Sequence, residues 1–154
     1  HVVVDRGGRQ CGCGRKGCLE AYTSANGIKR TAFELMATMT EPSPLREYSF
    51  DQLDSAMLSQ FAAKGDPIAK ECFRVTGQKL GYALADAVTI TSPEAIFIFG
   101  GLAKAGNLIF DPIKWYMEEN MLVTFKNKVK VLPSELQNKN AAILGAAALV
   151  WQAK

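Results

Sequence analysis

The chain has 154 residues, about one ordinary domain. Its composition, 48% hydrophobic and 21% charged, belongs to a chain with a real core and excludes a disordered tail. A formal net charge of +3 is too weak to imply a nucleic-acid partner, and no apolar run approaches the roughly 20 residues that span a bilayer.

The chain opens on His1 and the strand-like run Val2-Val3-Val4, so it reads as cut in mid-element, a piece of something longer. Residues 1–17 are rich in Gly and Cys and lack periodicity, which predicts a loop that needs an external tie. From Cys18 the pattern turns helical, with Leu19, Tyr22 and Ala25 on one face and Asn26-Gly27 as a helix stop. A second helix follows, with Ile28, Thr31, Ala32, Leu35, Met36 and Met39 on its buried stripe, until Pro42-Ser43-Pro44 ends it.

Ser49 and Gln52 have the spacing of a capping box and predict a short helix to about Ala63. Asp66-Pro67 pairs an N-cap with Pro at the first helical position. The helix it starts carries Ile68, Cys72, Val75, Leu80, Leu84 and Val88 as an apolar stripe to about Thr91. Gly81, Ala83, Ala85 and Ala87 keep it slim, so neighbours can approach closely.

Ala95–Phe99 is continuously apolar between Pro93 and Gly100-Gly101, which predicts a strand covered on both faces. Asp111-Pro112 predicts a further helix start, running to about Met121. Lys126, Lys128 and Lys130 alternate with Val129 and Val131, as in a strand with one wet face whose lysines discourage edge pairing. No aromatic residues interleave with that basic run, so nucleic acid is not its expected partner. An Ala-rich helix from about Asn140 to Trp151 ends the pattern. Helices alternating with few strands indicate a helix-rich α/β class, with too few strands for a self-sufficient sheet.

Three of the four cysteines crowd into Cys11-Gly12-Cys13-Gly14-Arg15-Lys16-Gly17-Cys18, and Cys72 stands alone on a helix stripe as a small buried hydrophobe. Zinc takes four soft or borderline ligands in a tetrahedron. Two thiolates one residue apart can share an ion only if the backbone between them folds tightly, which the glycines allow. Arg9, Arg15 and Lys16 would favour the thiolates and offset their charge. The fourth ligand should be neutral, and His1 is the one histidine of the chain. The expected site is His1, Cys11, Cys13 and Cys18 around a structural zinc, with free thiols or a disulfide in a turn as the alternative. Reduced thiols place the protein in the cytoplasm.

Cys11-x-Cys13-Gly14-x-x-Gly17-Cys18-x-Glu20, with a His before it, resembles the signature of the ROK family (repressors, open reading frames and kinases) at every fixed position. The strand ending in Gly100-Gly101 and the Ala-rich last helix are similar to the family's C-terminal region, so the resemblance covers residues 1–154. It implies the C-terminal lobe of an actin-like, ribonuclease H-like fold, with sugar and ATP between two lobes and the N-terminal lobe absent from this chain. The implied parent is an ATP- and magnesium-dependent hexose kinase, glucokinase-like. The alternatives are a sugar-responsive repressor of the same family and a zinc-stabilised interaction module.

Carried over by residue, Glu20 resembles the signature Glu that binds sugar hydroxyls, as a carboxylate can by accepting from two neighbours at once. The first turn of a helix favours its negative charge. His1 resembles a residue with two roles, one ring nitrogen on zinc and the other on a sugar hydroxyl. Gly100 and Gly101 look like the family's adenosine-binding pair. No Asp of this chain stands in the family's catalytic-base motif, and its phosphate loop does not occur here either, so the chain alone is expected to be inactive. The family's dimers and tetramers imply self-association, and residues upstream of His1 would separate kinase from repressor.

Overall fold

The computed structural model describes residues 1–136 and 141–152. Its spine is α4 (Pro67–Thr91), the longest helix. Asp66 starts it as expected, its Oδ1 accepting from the Ala69 N–H at 2.7 Å with Pro67 at the first position. Packed around α4 are α1 (Glu20–Thr23), α2 (Ala25–Thr38), α3 (Ser55–Ala63) and α5 (Asn107–Asn120). The core they share centres on Phe73, Ile28, Leu58, Ile68, Ile113 and Met117. Cys72 is fully buried in it, as read from the sequence.

Helix α5 lies closest. A Cβ on Gly77 would come within 2.7 Å of the Pro112 ring, and one on Gly81 within 2.8 Å of the Ile113 carbonyl oxygen. The slimness predicted for Gly81 is therefore used against α5, and Gly77 shares that duty one turn earlier.

Strands β1 (Ala95–Ile98) and β2 (Lys130–Pro133) pair in parallel, from Ala95 with Lys130 to Ile98 with Pro133. Among the described residues they form the whole sheet. The expectation that Ala95–Phe99 is covered on both faces fails: Phe97 is 63% and Phe99 49% exposed, because two strands present one packed face and leave the other open.

Four boundaries also differ from the pattern. The break between the first two helices falls at Ser24, not at Asn26-Gly27. Ser24 caps α2 by accepting from the Gly27 N–H at 3.0 Å, which draws Asn26 and Gly27 into the first turn. Ser49 and Gln52 do bond, the Ser49 N–H donating to Gln52 Oε1 at 2.9 Å, but they close only a turn. The helix α3 starts at Ser55, capped by Asp54. Helix α5 begins at Asn107, where Gly106 turns the chain, so Pro112 is inside it and packs on Gly77. Lys126 and Lys128 lie in turns before β2, whose backbone reversal includes Asn127 at φ 61°, while Val129 and Val131 are buried on either side of exposed Lys130.

The last helix, α6, is Ala141–Gln152, with Leu149, Val150 and Trp151 exposed. The Asn140 start expected for it lies outside the described residues. Among the described residues no helix is long and apolar enough to cross a membrane.

Candidate metal centre and sugar site

The first 19 residues form a loop held by few but definite bonds. Val3 bridges to Cys18 and Gln10 to Lys16, each antiparallel. The Gly17 carbonyl accepts from the N–H groups of Val4 and Asp5 at 2.8 and 3.2 Å, and the Gly17 N–H donates to the Arg9 carbonyl at 2.8 Å. Gly17 sits at φ +75°, and a Cβ there would fall 1.6 Å from the Asp5 carbonyl oxygen. Only glycine closes this turn. Beneath it Cys11, Cys18, Ala21 and Tyr22 make a small second core with Val4.

This folding gathers one ligand atom each from His1, Cys11, Cys13 and Cys18 within 4.8 Å of one another. The Cys13 and Cys18 sulfurs are 3.6 Å apart, and Cys11 Sγ is 3.4 Å from His1 Nδ1. Tetrahedral zinc with its usual bond lengths has S···S and S···N edges of about 3.8 and about 3.6 Å. The spacing and the donor set therefore fit such an ion. Without an ion the thiols differ in acidity. The Arg15 backbone N–H and guanidinium hold Cys13 down to about 6. The Cys13 N–H favours the Cys11 thiolate, yet burial and the bonds to Cys13, Glu20 and Cys18 prevail and push Cys11 up to about 11. Neighbouring sulfurs this close resist joint ionisation unless a cation sits among them.

Arg15 acts as expected; it also donates to the His1 carbonyl at 2.7 Å. Arg9 does not face the thiols. Its guanidinium turns to the helices and stacks 4.5 Å over the Tyr22 ring. Nη1 donates to the carbonyls of Ala21 and Gly27 at 3.1 and 3.0 Å. Nη2 donates to Thr31 Oγ1 at 3.0 Å and to Glu34 Oε2, and Nε donates to Glu34 Oε1 at 2.9 Å. No sequence signal marked this role, because Glu34 is 25 positions from Arg9. Tyr22 completes the tie: its hydroxyl accepts from the Arg9 N–H and donates to Asp5 Oδ2, each at 3.0 Å. Lys79 of α4 bonds the same carboxylate at 3.2 Å.

Glu20 is the first residue of α1, exposed, with Oε2 3.3 Å from Cys11 Sγ. Helix α1 is a single turn, so its dipole is small. Glu20 lines a cleft of about 220 Å³ together with Gln10, Cys11, Ser24, Asn26 and Arg30. The structure thus brings His1, the three cysteines and Glu20 together. Gly100 and Gly101 lie apart from them. Gly100 has φ +116° and ψ 179°, a conformation open essentially to glycine, and neither glycine has an atom within 4 Å of where a Cβ would stand. Gly101 borders a second cavity, of about 370 Å³, with Ser55, Ser59, Gln60 and Lys104.

Residues 1–153 match the ROK family. The chain belongs to that family. Among its ROK relatives, the glucokinase of Thermotoga maritima is 32% identical over 97% of this chain and 47% of its own length. The DNA-binding transcriptional dual regulator NagC of Escherichia coli is 28% identical over 99% of this chain and 36% of its own. A ROK family glucokinase from Streptomyces griseus, solved with glucose and AMPPNP, superposes with a TM-score of 0.84 at 31% identity, covering 97% of this chain and 49% of that one. The helix-rich α/β fold is shared with about half of that ROK glucokinase. The chain spans about half the length of the glucokinases it matches.

Proposed function

We propose that this chain is the sugar- and zinc-binding portion of an ATP-dependent hexose kinase of glucokinase type. One observation carries the reading: the Cys3His cluster and the Glu20 carboxylate converge at the head of α1, with Glu20 beside an open cleft. The glucokinase relatives at 32 and 31% identity support it.

In this reading His1, Cys11, Cys13 and Cys18 hold a structural zinc that crosslinks the loop and supplies no reacting group. Glu20 accepts hydrogen bonds from adjacent sugar hydroxyls, and a carboxylate binds them more strongly than a neutral acceptor would. His1 offers its second ring nitrogen to a hydroxyl. The bare backbone at Gly100 and Gly101 receives the adenosine of ATP, whose magnesium neutralises phosphate charge. The catalytic base is not among these residues, so the chain alone binds sugar without phosphorylating it.

The test is a glucose titration of the zinc-loaded chain followed by tryptophan fluorescence or NMR, beside Glu20→Gln. Saturable binding lost in the variant supports the reading, and equal binding by both removes Glu20 from it. Catalysis of ATP-dependent glucose phosphorylation by the chain alone would refute its predicted inactivity. The likeness to NagC over 99% of the chain supports a second reading, a sugar-responsive repressor with the same pocket. Phosphorylation of glucose by the parent protein separates the two.

A further inference from the structure

We infer that Arg9 is a positioning residue for Glu20: it fixes the one-turn helix α1 against α2 and so sets where the carboxylate meets the sugar. The inference rests on the reading of Glu20 as a sugar ligand.

A four-residue helix cannot hold its own shape, because nucleation is unfavourable and there is no length over which to recover the cost. No side chain caps the N-terminus of α1; its N-cap position is Leu19. Its start is tied by the Leu19 N–H to the Val2 carbonyl at 2.8 Å. Its end stops at Ser24, so the last carbonyls of the turn lack helical partners. Arg9 supplies one. A guanidinium N–H meets the Ala21 carbonyl, and the same nitrogen meets Gly27 in the first turn of α2, so one group spans the break. The cation is also at the favourable end of α1.

The rest of the guanidinium is anchored further along α2, on Thr31 and on both oxygens of Glu34. All five guanidinium N–H donors are thereby used, in the planar fork that only arginine has. The Arg9 side chain is only 10% exposed. Its backbone sits in the cysteine loop two residues before Cys11, bonded to Gly17 and to the Tyr22 hydroxyl. Ala21 directly follows Glu20. The carboxylate is therefore held from two sides, by the cysteine cluster and by Arg9. A lysine keeps the charge and stem but reaches one or two of the five acceptor positions.

The experiment uses the zinc-loaded chain with Arg9→Lys, and with Glu34→Gln, a change at an exposed residue that removes the charge and one of the two acceptor oxygens facing Arg9 without burying anything new. Zinc content, hydrogen exchange of the Ser24 amide and glucose affinity are measured together. The Ser24 amide closes α1 on the Glu20 carbonyl and reports the turn without any sugar. The expected result is retained zinc, faster Ser24 exchange, and glucose binding weaker by about tenfold in Arg9→Lys and less in Glu34→Gln. A merely stabilising arginine would lower the melting temperature and leave the affinity of the folded chain unchanged; that result overturns the inference. Zinc lost in step with sugar in both variants also overturns it, since Arg9 would then serve the metal loop alone. Failure of Glu20→Gln to weaken glucose binding withdraws the sugar role of Glu20 and this inference with it. Faster Ser24 exchange in that case would still show Arg9 holding α1, which separates the two failures.

Discussion

Gly17 and Asp5 meet so closely that the Gly17 carbonyl accepts the Asp5 N–H at 3.2 Å while a Cβ on Gly17 would lie 1.6 Å from the Asp5 carbonyl oxygen. The obstacle is backbone, which cannot swing aside as a side chain can. Gly17→Ala adds that clash to the strain of φ +75°. It should cost about 2 kcal/mol or more and open the cysteine loop. Thermal unfolding with parallel zinc analysis checks this. An alanine variant as stable as the parent would contradict the described turn.

The chain purified in metal-free buffers should carry about one zinc, and Cys18→Ser should lose it with a fall in melting temperature, since metal and fold are linked. Elemental analysis and a melting curve decide it. A folded chain without zinc would remove the metal from the proposed function and leave the cluster as free thiols.

Gly81→Ala poses opposing effects. Alanine gains about 1 kcal/mol of helix propensity over glycine. Its Cβ would stand 2.8 Å from the Ile113 carbonyl oxygen and 2.9 Å from the Met117 nitrogen, both backbone of α5. Overpacking of this kind costs about 1–3 kcal/mol. A net loss of roughly 1 kcal/mol is expected by urea denaturation, and a net gain would mean that α5 can retreat from α4.

Cys72 carries a pH signature. Burial pushes its thiol up to about 12 from an ordinary value of 9.0, with the charges of Asp66 and Glu71 adding to the shift. Between those values the unfolded chain releases the proton and the folded chain keeps it. The folded state then binds more protons, so its stability falls as pH rises. Relative to Cys72→Ala, the parent should therefore lose part of its stability advantage as pH rises from 9.0 toward about 12. Denaturation curves of both proteins at three pH values test the sign.

Much of the fold could be read locally. Asp66-Pro67 marked the start of α4 because a cap and a fixed φ act within one turn. The cysteine cluster was legible because its members lie within 18 residues and its glycines announce tight turns. The failures share a cause. Ser49 and Asp54 compete for neighbouring helix starts, and only Asp54 is placed where the chain continues as a helix. Ser24 and Gly27 compete at the first break, and the Ser24 cap prevails, so Gly27 enters the helix it was expected to end.

By itself the sequence determined the family signature, the grouping of His1, Cys11, Cys13 and Cys18, and the helical character of most of the chain. These follow from residue types at short spacing. Tertiary structure alone decided which way Arg9 points, that Gly77 joins Gly81 in admitting α5, and that Phe97 is exposed. Each depends on partners tens of residues away, or on how many strands stand beside one another. Local propensity and periodicity carry no record of either.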